Sequence, residues 1–406
     1  MSERHIVIAG AGHAGGRAAE ALRAVGHKGK ITLLGKERHP PYERPPLSKE
    51  LLAGTGTVEK TYLRPLAWYA EAGIDLRLGV EVREIDPRAQ RVRLGDASEL
   101  PYDAVMLTTG ARPRILPVAG GEGPRVFYLR DIEDCLGLRE RLVPDARLAV
   151  VGAGFIGLEI AATARKRGAA VTVLELAPQV LARVAPPQIA AYVADLHQRH
   201  GVEIRTGAIV TGIEDTGSGV VVRTASGEGI AADIAAVGIG VQPNVELAAS
   251  AGITIDDGIK VDEFGRSSDA AIYAAGDATR HFNPLCKRWI RLEAWQNAQN
   301  QAIAVAKVMA GGSEPFAEVP WFWTDQFDMN LQTAGPPGPW DKLVWRGEPA
   351  ERSFTVFHLF EGRPVAATTV NNVRDMRFAR MIVGRGQPVD SAALADKSVK
   401  LQDLCR

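Results

Sequence analysis

Two glycine triplets in this chain have a spacing that does chemistry. Gly10, Gly12 and Gly15 make one G-x-G-x-x-G, and Gly152, Gly154 and Gly157 make another. In such a turn the first glycine bends the chain, the second lets backbone approach a diphosphate, and the third lets helix lie on strand. The diphosphate then rests on free N–H groups at a helix start, where the dipole favours negative charge. One such turn is weak evidence, but two point to two dinucleotide sites. Glu175 lies 23 residues after Gly152. A carboxylate there accepts from both adenosine ribose hydroxyls and repels a 2′-phosphate, so the second site selects NADH over NADPH. In the first repeat the aligned position is Gly35, and Glu37, two residues on, is the candidate for the corresponding ribose; Lys36 reads as a solvated charge.

The elements that must hold these residues repeat. Residues 5–37 and 147–176 each run from a β-branched stretch through the glycine turn and an Ala-rich amphipathic stretch into a second β-branched run. Each is a βαβ unit, so the fold class is α/β with two Rossmann-type halves. Further on, 271–277 reads A-I-Y-A-A-G-D, a strand ending on Gly276 and Asp277. Such an ending is common for purely structural reasons, but it also suits backbone approach to a ligand and acceptance from a sugar-alcohol hydroxyl. A helix beginning near Glu293 carries Ala298, Ala302, Val305 and Met309 as an apolar stripe, and its start is placed to face an electron-rich ring. From about Val319 the pattern changes. Phe354, Val356 and Phe360 alternate with polar or opposite-face residues, 361–364 turns the chain into Val365–Val370, and a helix follows from about Arg374 to Val383. This predicts a C-terminal α+β cap.

Bulk properties narrow the class. The 406 residues hold 48 Lys plus Arg and 48 Asp plus Glu, a balance that argues against nucleic acid as the main partner. The first apolar stretch runs straight into the glycine loop, which is unlike a signal peptide, and no run of about 18 apolar residues occurs. The expectation is a cytoplasmic protein with no membrane span. Cys135, Cys286 and Cys405 are dispersed, with neither dithiol nor metal-knuckle spacing, and read as incidental thiols.

Together G-A-G-H-A-G at 10–15, P-Y-E-R-P-P-L-S-K at 41–49, G-A-G-F-I-G-L-E at 152–159, A-A-G-D at 274–277 and P-W-F-W-T-D-Q at 320–326 carry a resemblance along essentially the whole chain. It resembles the FAD-dependent NADH:ferredoxin reductases that serve bacterial Rieske oxygenases and haem monooxygenases. The resemblance implies a glutathione-reductase-like architecture: an FAD domain at 1–110 and 243–318, an NAD domain at 111–242, and a C-terminal α+β domain at 319–406. It implies FAD and NADH as cofactors and a 2Fe–2S ferredoxin as partner. It places Arg44, Pro45 and Lys49 along the flavin, with Glu159 pairing Lys49 and orienting the nicotinamide carboxamide. Phe155 takes the position of an aromatic gate, Thr109, Gly110 and Ala111 close the FAD domain, and Asp277 bonds the ribityl chain. Trp295 and Gln296 fall at the ring's pyrimidine edge, and Trp321 and Trp323 on its exposed side. Ala14, Val82, Arg130, Ile156, Gly240 and Glu293 complete the implied cofactor contacts. Arg183 resembles an arginine at the cofactor's adenosine, and Arg64 one that meets an acidic ferredoxin. Two departures concern docking: Gln332 and Ile303 stand where relatives have basic residues.

Elementary chemistry supports part of this. A lysine beside a group that gains negative charge is apt, and a buried lysine needs a partner such as Glu159. Read alone, Lys49 could equally be a surface charge, Glu159 an acid favoured in a first helical turn, 321–323 interface packing, and Arg64 and Arg183 solvated charges. The expected reaction is hydride transfer from NADH to FAD, then single-electron steps to the ferredoxin. Disulfide reduction needs two cysteines near the flavin, and 40–52 has none. An NADH oxidase or peroxidase would use a single cysteine there. Rubredoxin or a small organic acceptor stays open as the electron's destination, and so does a flavin-bound signalling protein.

Overall fold

The computed structural model describes residues 3–336 and 338–405. Two five-stranded parallel sheets form its centre. In the first, the strands lie in the order Ile272–Ala274, Ala104–Leu107, Ile6–Ala9, Ile31–Gly35, Ile74–Leu78. The second runs Val202–Thr206, Ala170–Glu175, Arg147–Val151, Ile234–Val237, Val126–Phe127. The central strands are buried, apart from Arg147 at the start of the second, as parallel strands covered on both faces must be. Ile6, Ile8, Ile31 and Leu33 have no exposed surface, and burying each such side chain contributes about 1.5–3 kcal/mol.

The helix His13–Ala24 follows the first glycine turn and packs its small residues against Trp295–Met309. The latter starts two residues later than expected from Glu293, and Ala298, Ala302, Val305 and Met309 are all buried. Phe155–Lys166 follows the second turn. The chain crosses between the two sheets twice, and the crossings, Ala111–Pro113 and Val241–Pro243, pair antiparallel.

The C-terminal sheet is antiparallel, in the order Trp321–Gln326, Met329–Ala334, Arg363–Val370, Phe354–Phe360, Lys342–Arg346, with the helix Val373–Arg385 on it. Two expectations need correction. The turn of the hairpin is only Glu361 and Gly362, both at positive φ, so Arg363 and Pro364 already belong to the strand. Phe354 and Val356 alternate with opposite-face residues that are buried as well, but past the register shift between His358 and Leu359 the stripe ends and Phe360 is exposed. Phe354 and Val356 pack toward the second parallel sheet, while Phe357 and Leu359 pack under Val373–Arg385.

Candidate functional site

The carboxyl ends of Ile6–Ala9, Ala104–Leu107 and Ile272–Ala274 open into a cavity of about 510 Å³. This is where open α/β sheets bind ligands. Gly10, Gly12, Ala14, Thr109, Gly110, Gly276 and Asp277 line it, as the strand ends require. The glycines divide by what crowds them. A Cβ on Gly10 would lie 2.3 Å from the Thr108 carbonyl oxygen, and one on Gly15 would lie 1.9 Å from that of Gly10. Their need for glycine comes from the protein itself. Gly12 is different, for its Cβ would meet only an Arg44 nitrogen at 3.9 Å. Nothing among the described residues forbids a side chain there, and a diphosphate lying on the helix start would. The second turn repeats this: Gly152 and Gly157 are crowded at 2.5 and 2.1 Å, whereas Gly154 meets its first neighbour at 3.9 Å. Two buried groups on the cavity wall, the His13 ring and Trp295 Nε1, have no protein hydrogen-bond partner among the described residues. These features fit a bound dinucleotide.

Lys49 and Glu159 meet at the inner wall. Lys49 follows the turn Pro45–Ser48 and sends Nζ to within 2.8 Å of Glu159 Oε1. Glu159 stands one turn into Phe155–Lys166, so the second glycine turn delivers it to the first cavity. Its side chain is 4% exposed. Thr324 donates to Oε1 at 2.6 Å and Ser48 donates to Oε2. Thr163, one turn further along the same helix, donates to the Ser48 carbonyl at 2.7 Å. Ser48 and Thr324 fall inside the motifs at 41–49 and 320–326, but no role was read for either, and their contacts with Glu159 span 111 and 165 residues.

The opposite wall is cationic. Arg44 donates to Glu37 at 2.8 Å, to the Tyr42 hydroxyl at 2.9 Å and to the Arg130 carbonyl at 2.5 Å. Burial alone would raise the Glu37 carboxyl, but Arg44, Tyr42 and Arg130 outweigh it and hold the group below its usual range. Arg130 reaches Asp277 at 3.3 Å, and burial, reinforced by the neighbouring Arg44, lowers its pKa. Lys36 is a largely exposed charge paired with Glu81, although it stands at the cavity's edge. Gln301, another residue without sequence signal, accepts from the Gly276 N–H at 2.8 Å and so fixes the Gly276–Asp277 turn.

Pro45, Arg130, Ile156, Glu293, Trp295 and Trp323 also line the cavity. Phe155 does not; it packs on Phe322 with ring centroids 4.2 Å apart, and Ile156 takes the wall instead. Gln296 is turned away to donate to Glu318, leaving its backbone N–H in the first turn of Trp295–Met309. Val82 is not on the wall, being half-buried in the strand paired with Arg91–Leu94.

Around the second turn, Glu175 accepts from the Ala153 N–H at 2.6 Å and from the Ala177 N–H at 2.8 Å. Its carboxylate therefore stands at the turn, where an adenosine ribose is expected. The guanidinium of Arg183 lies beside Gly240, another of the implied cofactor contacts, just past the end of the strand Ile234–Val237. Arg64 pairs with Glu20 at 2.9 Å and covers the Trp68 ring.

Trp323 on the wall stacks with Trp321, their centroids 5.2 Å apart and planes 17° apart. Trp321 borders a second, more open concavity with Leu285, Val373, Arg377, Arg380 and Met381. Gln332, one of the two departures, is buried and accepts from Trp321 Nε1 at 3.1 Å. Ile303, the other, is partly buried against the core of the first sheet. Burial pushes the Cys135 thiol up to about 12, so it is inert, and no group of residues among those described could hold a metal.

Residues 4–302 match the family model described as pyridine nucleotide-disulphide oxidoreductase, and residues 321–405 match one described as reductase C-terminal. The chain is 45% identical over 404 residues to the ferredoxin–NAD(+) reductase component of the anthranilate 1,2-dioxygenase system of Burkholderia cepacia, with 99% of each chain covered. The crystal structure of the ferredoxin reductase for the CYP199A2 system from Rhodopseudomonas palustris aligns at TM-score 0.96 and 38% identity, covering 99% of this chain and 100% of that one. Putidaredoxin reductase in its covalent complex with putidaredoxin aligns at TM-score 0.96 and 40% identity, covering 100% and 98%.

Proposed function

The chain belongs to the pyridine nucleotide-disulphide oxidoreductase family, and from that premise we propose that it is an FAD-dependent NADH:ferredoxin reductase, passing electrons to a 2Fe–2S ferredoxin that feeds an oxygenase. In this reading 1–110 with 243–318 holds FAD, 111–242 holds NADH, and 319–406 covers the cavity. NADH as reductant suits a cytoplasmic setting, and no helix among the described residues is long and apolar enough to cross a membrane.

One observation carries the reading. The Lys49–Glu159 pair joins the wall of the first cavity to the helix of the second glycine turn, so the two nucleotide sites converge on one point. FAD, when bound, supplies two-electron uptake and one-electron release. The chain's residues do the rest. Gly12 and the start of His13–Ala24 would hold the diphosphate, Glu37 the adenosine ribose, and Asp277 a sugar-alcohol hydroxyl. Three donors fix Glu159, which holds the Lys49 ammonium at the wall as a standing positive charge where negative charge accumulates. Phe322 and Trp323 close the wall from the C-terminal sheet and exclude water.

Electrons leave at the tryptophan stack. Trp321 carries Arg380 over its ring at 5.6 Å, beside the exposed apolar Leu285, Val373 and Met381. The helix Val373–Arg385 presents Arg374, Arg377, Arg380 and Arg385 against a single acid, Asp375. An apolar centre ringed by arginines suits a partner with an acidic rim. The test mixes protein, FAD, NADH and candidate ferredoxins and follows bleaching of the iron–sulfur absorbance. Rapid NADH-dependent bleaching is expected. Reduction of rubredoxin alone would overturn the acceptor, and a protein that takes up no FAD would overturn the whole reading.

A further inference from the structure

His13 occupies the fourth position of the first glycine motif, the place that Phe155 fills in the second. The two behave differently. Phe155 satisfies itself against Phe322, whereas His13 is 7% exposed, lines the cavity, and has no protein partner at Nδ1 or Nε2 among the described residues. Its ring leans on Trp295, centroids 5.2 Å apart, so the imidazole is wedged between the starts of the helices His13–Ala24 and Trp295–Met309. Burial, with Arg17 and Arg44 nearby, lowers its pKa to about 3. At neutral pH the ring therefore carries one N–H donor and one bare acceptor.

Buried polar groups in folded proteins are almost always paired, and leaving one unpaired is costly. His13 costs the empty protein stability that a leucine would not. The cationic surroundings and the uncrowded Gly12 next to it mark the neighbouring space as suited to oxygen-rich, negatively charged groups.

We propose that His13 is a positioning residue for FAD, its ring N–H donating to an oxygen of the diphosphate–ribityl stretch. The proposal rests on FAD occupying this cavity. A hydrogen bond to such an oxygen alters affinity by roughly tenfold to a hundredfold when the oxygen is charged.

The test uses apoprotein of the full chain, titrated with FAD by fluorescence quenching, alongside urea unfolding with and without FAD. His13→Leu is expected to bind FAD at least tenfold more weakly, while the apoprotein becomes as stable or more so. His13→Asn, which keeps a donor, is expected to recover most of the affinity. A side chain that merely packs would shift apoprotein and FAD-bound protein alike. ADP titration separates the sources: weakened ADP binding assigns the bond to the diphosphate, and weakened FAD binding alone assigns it to the ribityl hydroxyls. In the unaltered chain, 15N-histidine NMR should show one imidazole N–H that becomes protected from exchange when FAD is added, a readout independent of how the variants fold. Unchanged FAD affinity in His13→Leu, or no histidine resonance responding to FAD, overturns the proposal. Failure of the unaltered apoprotein to bind FAD overturns the functional reading instead.

Discussion

Lys49 and Glu159 are buried charges whose value depends on each other. Lys49→Met leaves a carboxylate facing only the hydroxyls of Ser48 and Thr324. The expected loss is about 3 kcal/mol, the low end for a broken buried pair because two donors remain. Adding Glu159→Gln should recover most of that stability in urea unfolding. The rate at which NADH bleaches the flavin should stay at least roughly tenfold slow, since the positive charge at the wall is gone. A double variant that regains both would make the pair structural only. Glu175 offers a separate check on the other nucleotide. Glu175→Ala removes the expected ribose acceptor and the repulsion of a 2′-phosphate. It also strips the Ala153 and Ala177 N–H groups of their acceptor. The ratio of kcat/KM for NADH over NADPH should fall roughly tenfold, a hydrogen bond to a charged group being the main loss. An unchanged ratio would remove Glu175 from the ribose.

At the scale of the element, the two turns predict a contrast that a general loss of glycine flexibility would not. Gly10→Ala drives a Cβ into the Thr108 carbonyl at a φ of +121° and should cost about 3 kcal/mol or more. Gly12→Ala meets no protein atom closer than 3.9 Å, so the chain should fold. Its FAD affinity should still drop roughly ten- to a hundredfold, the effect of overpacking by about 1–3 kcal/mol. Gly154→Ala should stay yellow and lose NADH affinity instead, read by flavin absorbance and NADH titration of each variant. These turns were legible in sequence because a βαβ unit is local: strand, glycines and helix lie within about thirty residues. The helix stripe from Ala298 to Met309 was legible for the same reason. The double burial of residues 354–359 was not, because it depends on a second layer, the helix Val373–Arg385, that no period within the strand encodes. Nor were the bonds of Ser48 and Thr324 to Glu159 or the turning of Phe155 onto Phe322, which are set by docking of segments more than a hundred residues apart.

Across the whole molecule, one apolar core joins Tyr42, Leu47 and Leu51 of the segment after the first βαβ unit, the second parallel sheet, and Phe354, Val356 and Val370 of the C-terminal sheet. Through it runs a buried polar chain in which Thr324 donates to Glu159, Gln326 donates to Thr324 at 3.1 Å, and His197 Nε2 lies 2.8 Å from Gln326 Oε1. That geometry makes His197 the neutral donor. Burial lowers the pKa values of His197, His281 and His358 to about 4. Unfolded, each titrates at its ordinary value near 6.5. Between about pH 4 and 6.5 the unfolded chain therefore binds more protons than the folded one, so stability falls as pH drops through that window and is unaffected above it. Each neutral imidazole contributes a slope of up to about 1.4 kcal/mol per pH unit, roughly 4 for the three together. His281 isolates the effect, since neither ring nitrogen has a partner among the described residues and its neighbour is the apolar Phe316. In urea unfolding at saturating FAD, His281→Leu should remove about a third of this histidine slope between pH 6.5 and 4.5, and leave the protein no less stable at pH 7.5. A slope identical to that of the unaltered chain would mean that His281 takes up its proton without unfolding.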